Sequence, residues 1–109
     1  MSQDIDIQIG SGNVFADLDL PNSDELLMKA ELIRQISHII TQRKLTQAQA
    51  AEVLGIDQPK VSALLRGKLT GFSTERLFRF LNALGCDVEI VVKLEEKSPT
   101  SAGISVVSI

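Results

Sequence analysis

The chain has 109 residues, 44% of them hydrophobic, and a formal net charge of −3. That length suffices for one compact domain with a modest core, and the hydrophobic share excludes a disordered chain. A single Cys excludes an intrachain disulfide framework and fits a reducing cytosol. No apolar run has the length of a membrane span and the opening MSQDIDIQIG is acidic, so neither a transmembrane helix nor a secretory signal is expected.

The charge is unevenly spread. Residues 1–28 hold six acids and no base. Residues 29–79 hold nine bases (Lys29, Arg34, Arg43, Lys44, Lys60, Arg66, Lys68, Arg76 and Arg79) against four acids. Residues 80–109 return to a net −2. A basic centre between acidic ends points to two partners of different charge.

Asp4-Ile5-Asp6-Ile7-Gln8-Ile9 alternates with a period of two and predicts a short half-buried strand, broken by Gly10 and Gly12. Pro21-Asn22 is a turn. Asn22 with Glu25 reads as a capping box that starts a helix near Ser23. That helix is expected to run to about Arg43, with Leu26, Ile33, Ile36 and Ile40 on one face and Leu32 and Ile39 beside them. Glu31, Arg34, Gln35 and His38 are expected on the opposite, polar face.

Thr46 and Gln49 form a second capping box, with Leu45 as a staple, and Gly55 is placed to end the helix in a left-handed conformation. Asp57 or Gln58 caps the next helix, which tolerates Pro59 in its first turn and closes at Gly67. Phe72-Ser73 with Leu77 repeats the staple and cap, opening a helix that Gly85 ends. Cys86–Glu95 reads as a strand, with Val88, Ile90, Val92 and Leu94 on a dry face and Asp87, Glu89, Lys93 and Glu95 opposite. Residues 98–103 are linker-like, and residues 104–109 are apolar enough to dock, although their place is not legible. The expected organisation is an acidic segment (1–22), a helical domain with a terminal strand (23–95) and a tail (96–109).

Two helices joined by only three residues must cross steeply. Ala50 and Leu54 then meet Val61 and Leu64, Ile56 plugs the corner, and Ala51 sits at the closest approach. What remains on the second helix is Gln58, Pro59, Ser62, Ala63 and Arg66, one polar or small face of a kind the DNA major groove admits. This is a helix-turn-helix pattern. An ordinary αα-hairpin within a bundle is the plainer reading, but it does not require so many positions to agree.

In the groove, Gln58 suits adenine, Ser62 either base type, and Ala63 a thymine methyl. Lys60 lies where a phosphate or a guanine is in reach. Arg66, Gln47, Arg43, Lys44 and Lys68 are the candidates for phosphate. Lys29, Arg34 and Arg79 read as surface charges. The Cys86–Leu94 strand needs a partner: residues 4–9, residues 104–109, or a second copy about a two-fold axis. His38 is expected to be solvated and Cys86 to be a small core residue. With no catalytic constellation, metal-ligand spacing or phosphate loop, neither enzyme activity nor a cofactor is expected.

Gln47…Ala51…Gly55-Ile56…Gln58…Val61-Ser62…Leu64…Arg66-Gly67 resembles the Xre/Cro-type repressors, over about residues 32–85. The resemblance implies a mainly α, lambda-repressor-like fold of five helices. The flanks GNVFADLDLPN (Gly12–Asn22) and FSTERLFRFLNALGCDVEIVV (Phe72–Val92) resemble the HigA-type antitoxins of toxin–antitoxin modules. That likeness implies a homodimer on double-stranded operator DNA that neutralises a RelE/HigB-like, mRNA-cleaving toxin. The tail Glu95–Ile109 departs from the family pattern. Such a toxin binds a polyanion, so the acidic N-terminal segment is its expected partner surface, with Phe15, Asp17, Leu18 and Asp19 as candidates. Otherwise the acids serve solubility and Phe15 fills this protein's own core. A stand-alone Xre-type regulator without a toxin and a protein-interaction adaptor that never meets DNA are the competing functions.

Overall fold

A computed structural model of the chain describes residues 6–8, 23–94 and 103–108. In chain order it has strand β1 (Asp6–Gln8), helices α1 (Ser23–Gln42), α2 (Gln47–Leu54) and α3 (Gln58–Leu65), a 3-10 turn (Leu69–Gly71), helix α4 (Thr74–Ala83) and strand β2 (Ser105–Val107). The described residues thus hold four α-helices and a 3-10 turn, where the family resemblance implied five helices. The chain divides into two compact units, Leu32–Glu89 and the pair of ends Met1–Glu31 with Ile90–Ile109.

The Leu32–Glu89 unit carries the core. Leu32, Ile33, Ile36 and Ile40 of α1 are buried, as the 3.6-residue period requires, together with Ala50, Leu54, Val61, Leu64, Phe72, Leu77, Phe80, Leu81 and Leu84. The core is aliphatic apart from Phe72 and Phe80, whose rings meet edge to face with centroids 5.8 Å apart. Leu26 and Ile39 are half-buried. Glu31 corrects the sequence reading. Helical spacing places it on the polar face of α1, but it is only 2% exposed, and the residue is not left without an interaction. Among the described residues no buried side-chain nitrogen or oxygen lacks a hydrogen-bond partner, as burial demands.

Local chemistry sets the helix ends. Thr46 Oγ1 accepts from the Gln49 N–H at 3.1 Å, and Gln49 Oε1 accepts from the Thr46 N–H at 2.9 Å, which completes the capping box. Asp57, not Gln58, caps α3: its Oδ1 accepts from the Lys60 N–H at 2.9 Å. Ser73 caps α4 through Arg76 N–H at 3.2 Å. All four helices close through a left-handed residue: Lys44, Gly55, Gly67 and Gly85. At each, the next N–H reaches back across the last turn, for example Leu45 to the Ile40 carbonyl and Ile56 to the Ala51 carbonyl, both at 3.1 Å.

The unit formed by the two ends contains a two-stranded antiparallel sheet, β1 with β2. Asp6, Ile7 and Gln8 stand opposite Val107, Val106 and Ser105. The tail thus docks on the N-terminal strand, a place the sequence alone did not show. The expected strand Cys86–Glu95 is corrected. Its described part, residues 86–94, forms no strand in the single chain, and among the described residues β1 and β2 pair with each other instead. Its supposedly dry face is open to solvent: Ile90 is 74% exposed and Val92 90%, Leu94 is fully exposed, and only Val88 is half-buried.

Candidate nucleic-acid interface

The interface is built on α2 and α3. Ala50, Leu54, Val61 and Leu64 are buried as the packing argument required, and Ala51 and Ile56 are half-buried at the corner. Gly55 makes the turn at φ 70°, a conformation that a side chain with a Cβ adopts only under strain.

With Val61 and Leu64 turned inward, the opposite side of α3 is left to solvent. Gln58, Pro59, Lys60 and Arg66 are exposed. Ser62 and Ala63 are half-buried, so they form the floor of this face and not its crest. Every candidate base reader (Gln58, Lys60, Ser62 and Ala63) therefore lies on the one short helix, with at least part of its surface open. Asp57 occupies the amide of Lys60 and orients the first turn of α3, which Pro59 stiffens.

The phosphate candidates sit on elements that flank this helix in sequence. Gln47 opens α2, Arg43 and Lys44 form the turn before it, and Arg66 and Lys68 follow α3; all five are exposed. Arg43, Lys44, Arg66 and Lys68 are cations on open surface, while Gln47 is neutral and stands where the first turn of α2 has free N–H groups. Arg79 pairs with Glu75 at 2.6 Å along α4. Lys29, read as a solvated charge, instead pairs with Glu25 at 3.5 Å and is largely buried. His38 is exposed and Cys86 half-buried.

Two features were missed in the sequence. Lys44 adopts φ 54°, the one left-handed residue other than glycine among those described. Arg76 lies over two rings at once, 5.4 Å from the centroid of Phe72 and 5.6 Å from that of Phe80. Arg76 and Phe80 lie one turn apart on α4, and that i, i+4 spacing was the available signal, whereas Phe72 stands extended just before the cap Ser73. Phe15, Asp17, Leu18 and Asp19 lie outside the described residues. Those residues contain no group of His, Cys, Asp or Glu able to hold a metal ion, and no helix long and apolar enough to cross a membrane.

Two short helices locked through Ala50, Leu54, Val61 and Leu64, the second presenting a polar outer face, define a helix-turn-helix protein. A family model described as a helix-turn-helix domain matches residues 14–93. A solved structure described as a "Putative XRE Family Transcriptional Regulator" is similar at 48% identity with a TM-score of 0.76, across 82% of this chain and 100% of that one. Comparison with curated proteins gave no match. The chain belongs to the helix-turn-helix domain family, and within it to the XRE type.

Proposed function

We propose that the chain is a sequence-specific DNA-binding transcriptional repressor that works as a homodimer on a two-fold operator, and that it is the antitoxin of a toxin–antitoxin module. It acts by binding, without catalysis or cofactor. The observation that carries the DNA reading is the division of α3 into a buried side (Val61, Leu64) and an open side (Gln58, Lys60, Arg66) within a basic stretch of chain.

In this reading Gln58 pairs with adenine, Lys60 reaches guanine or phosphate, and Ser62 and Ala63 line the groove floor. Gln47, Arg43, Lys44, Arg66 and Lys68 hold the backbone and set the register. The dimer forms through residues 88–94. Val88, Ile90, Val92 and Leu94 pair antiparallel with the same residues of a second copy, which covers apolar surface that no described strand of the chain pairs with. The antitoxin role rests on the resemblance of the flanking segments and on the acidic residues 1–28, which suit the cationic surface of an RNA-cleaving RelE/HigB-like toxin. Phe15, Asp17, Leu18 and Asp19 are its proposed contacts. A regulator without a toxin is the second reading, supported by the name of the structural relative.

Co-purification with the products of neighbouring genes, followed by DNA binding of the free and bound forms over a range of salt, tests all of this. A toxin partner and a steep salt dependence are expected. Salt-dependent DNA binding without any partner leaves the stand-alone regulator, and absence of DNA binding leaves an adaptor.

A further inference from the structure

We propose that residues 103–108 act as an intrachain clasp on the N-terminal strand, keeping residues 6–8 closed to any protein that must take them as a single extended strand. The inference stands whether or not the chain has a toxin.

β2 lies antiparallel to β1 in a defined register, Asp6 to Val107, Ile7 to Val106 and Gln8 to Ser105. The middle pair joins two β-branched residues, the kind that favours a ribbon. The chemistry of the tail suits the task. Residues 98–109 carry no charged side chain, whereas residues 1–28 carry six acidic ones, so the side chains of β2 do not repel an acidic strand. Both strands fall outside residues 14–93, the part matched by the family model, so the clasp is an addition to the shared domain. Among the described residues the sheet has two strands, and Ile104 beside β2 shares a hollow with Ser23, Asp24, Glu25 and Met28 of α1. A two-stranded ribbon of three residue pairs is marginally stable by itself, so this one opens locally while the helical core stays folded. A clasp poised in that way competes with a partner for the strand instead of sealing it permanently. Its grip rises or falls with anything that alters residues 103–108.

A broad-specificity serine protease is a direct probe, because its cleft accepts substrate only as one extended strand. Cleavage between residues 5 and 9 is followed by mass spectrometry in the full chain, in a chain ending at residue 102, and in Val106→Pro, which breaks the ribbon without shortening it. Cleavage in both altered chains is expected to be about tenfold faster, the ratio for a clasp closed roughly nine-tenths of the time, with the helical circular dichroism unchanged. As a second measurement, Ile7→Cys with Val106→Cys in a Cys86→Ser background should form an intrachain disulfide, since strand partners lie within bridging distance. Ile7→Cys with Ile104→Cys, out of register, should not. Equal cleavage rates in all three chains, or equal crosslinking of both pairs, would overturn the proposal.

Discussion

Lys44 occupies the left-handed region at φ 54°, where the other three helices place a glycine. A non-glycine residue there costs about 1–2 kcal/mol, so its presence at the turn before α2 points to use of its charge. Lys44→Gly is expected to stabilise the fold by about 0.5–1 kcal/mol once the extra backbone freedom of glycine is deducted, seen as a higher unfolding midpoint. It should also weaken DNA binding and lower the salt slope by about 1, measured by titration at several salt concentrations. Gln58 makes the opposite kind of contribution. It is exposed and supports no packing, so Gln58→Ala should leave stability unchanged. At the true operator it should cost about 1–3 kcal/mol, with little effect on random DNA. Unchanged operator preference would remove Gln58 from the base-reading set.

At the scale of the elements, the turn between α2 and α3 decides where the outer face points. An ideal Cβ built on Gly55 meets nothing within 4 Å, so space does not exclude a side chain there; only the backbone conformation does, at φ 70°. Gly55→Ala is therefore expected to cost about 0.5–1 kcal/mol in chemical denaturation after the same deduction for glycine's backbone freedom, with no accompanying packing loss. Asp57→Ala should remove the cap on α3 at about 1 kcal/mol and loosen the first turn that carries Gln58 and Lys60. The helices themselves were legible because caps and apolar periods are local: Thr46 with Gln49, Asp57 with Lys60 and Ser73 with Arg76 each act within one turn. The burial of Glu31 was not legible. Helical spacing says which side a residue is on, but which neighbours close over that side depends on the rest of the fold.

For the whole molecule the decisive stretch is 88–94. An apolar run this exposed on a single chain invites association, and β1 and β2 are already partnered with one another. Ile90 is 74% exposed and belongs to no core, so Ile90→Asp should leave the helices folded while abolishing the proposed dimer. Sedimentation would then read a monomer with native circular dichroism, and operator affinity would fall because two half-sites about 34–36 Å apart are no longer engaged together. A wild-type chain that sediments as a monomer at micromolar concentration would remove the dimer from the proposed function.

The sequence by itself determined the four helices, the caps Thr46 and Ser73, the turn at Gly55 and the inward residues Ala50, Leu54, Val61 and Leu64, while the Asn22 cap expected for α1 lies outside the described residues. Each follows from interactions between residues a few positions apart, and together they made the outer face of α3 readable before any coordinates. Tertiary structure alone decided which strands meet. Residues 4–9, 86–94 and 104–109 all had a strand's alternation or apolarity, and nothing local ranks one pairing over another. Pairing between segments about a hundred residues apart closes a long loop, and local preferences carry no information on it. The result pairs β1 with β2, and among the described residues the exposed apolar stretch 90–94 is not in a strand.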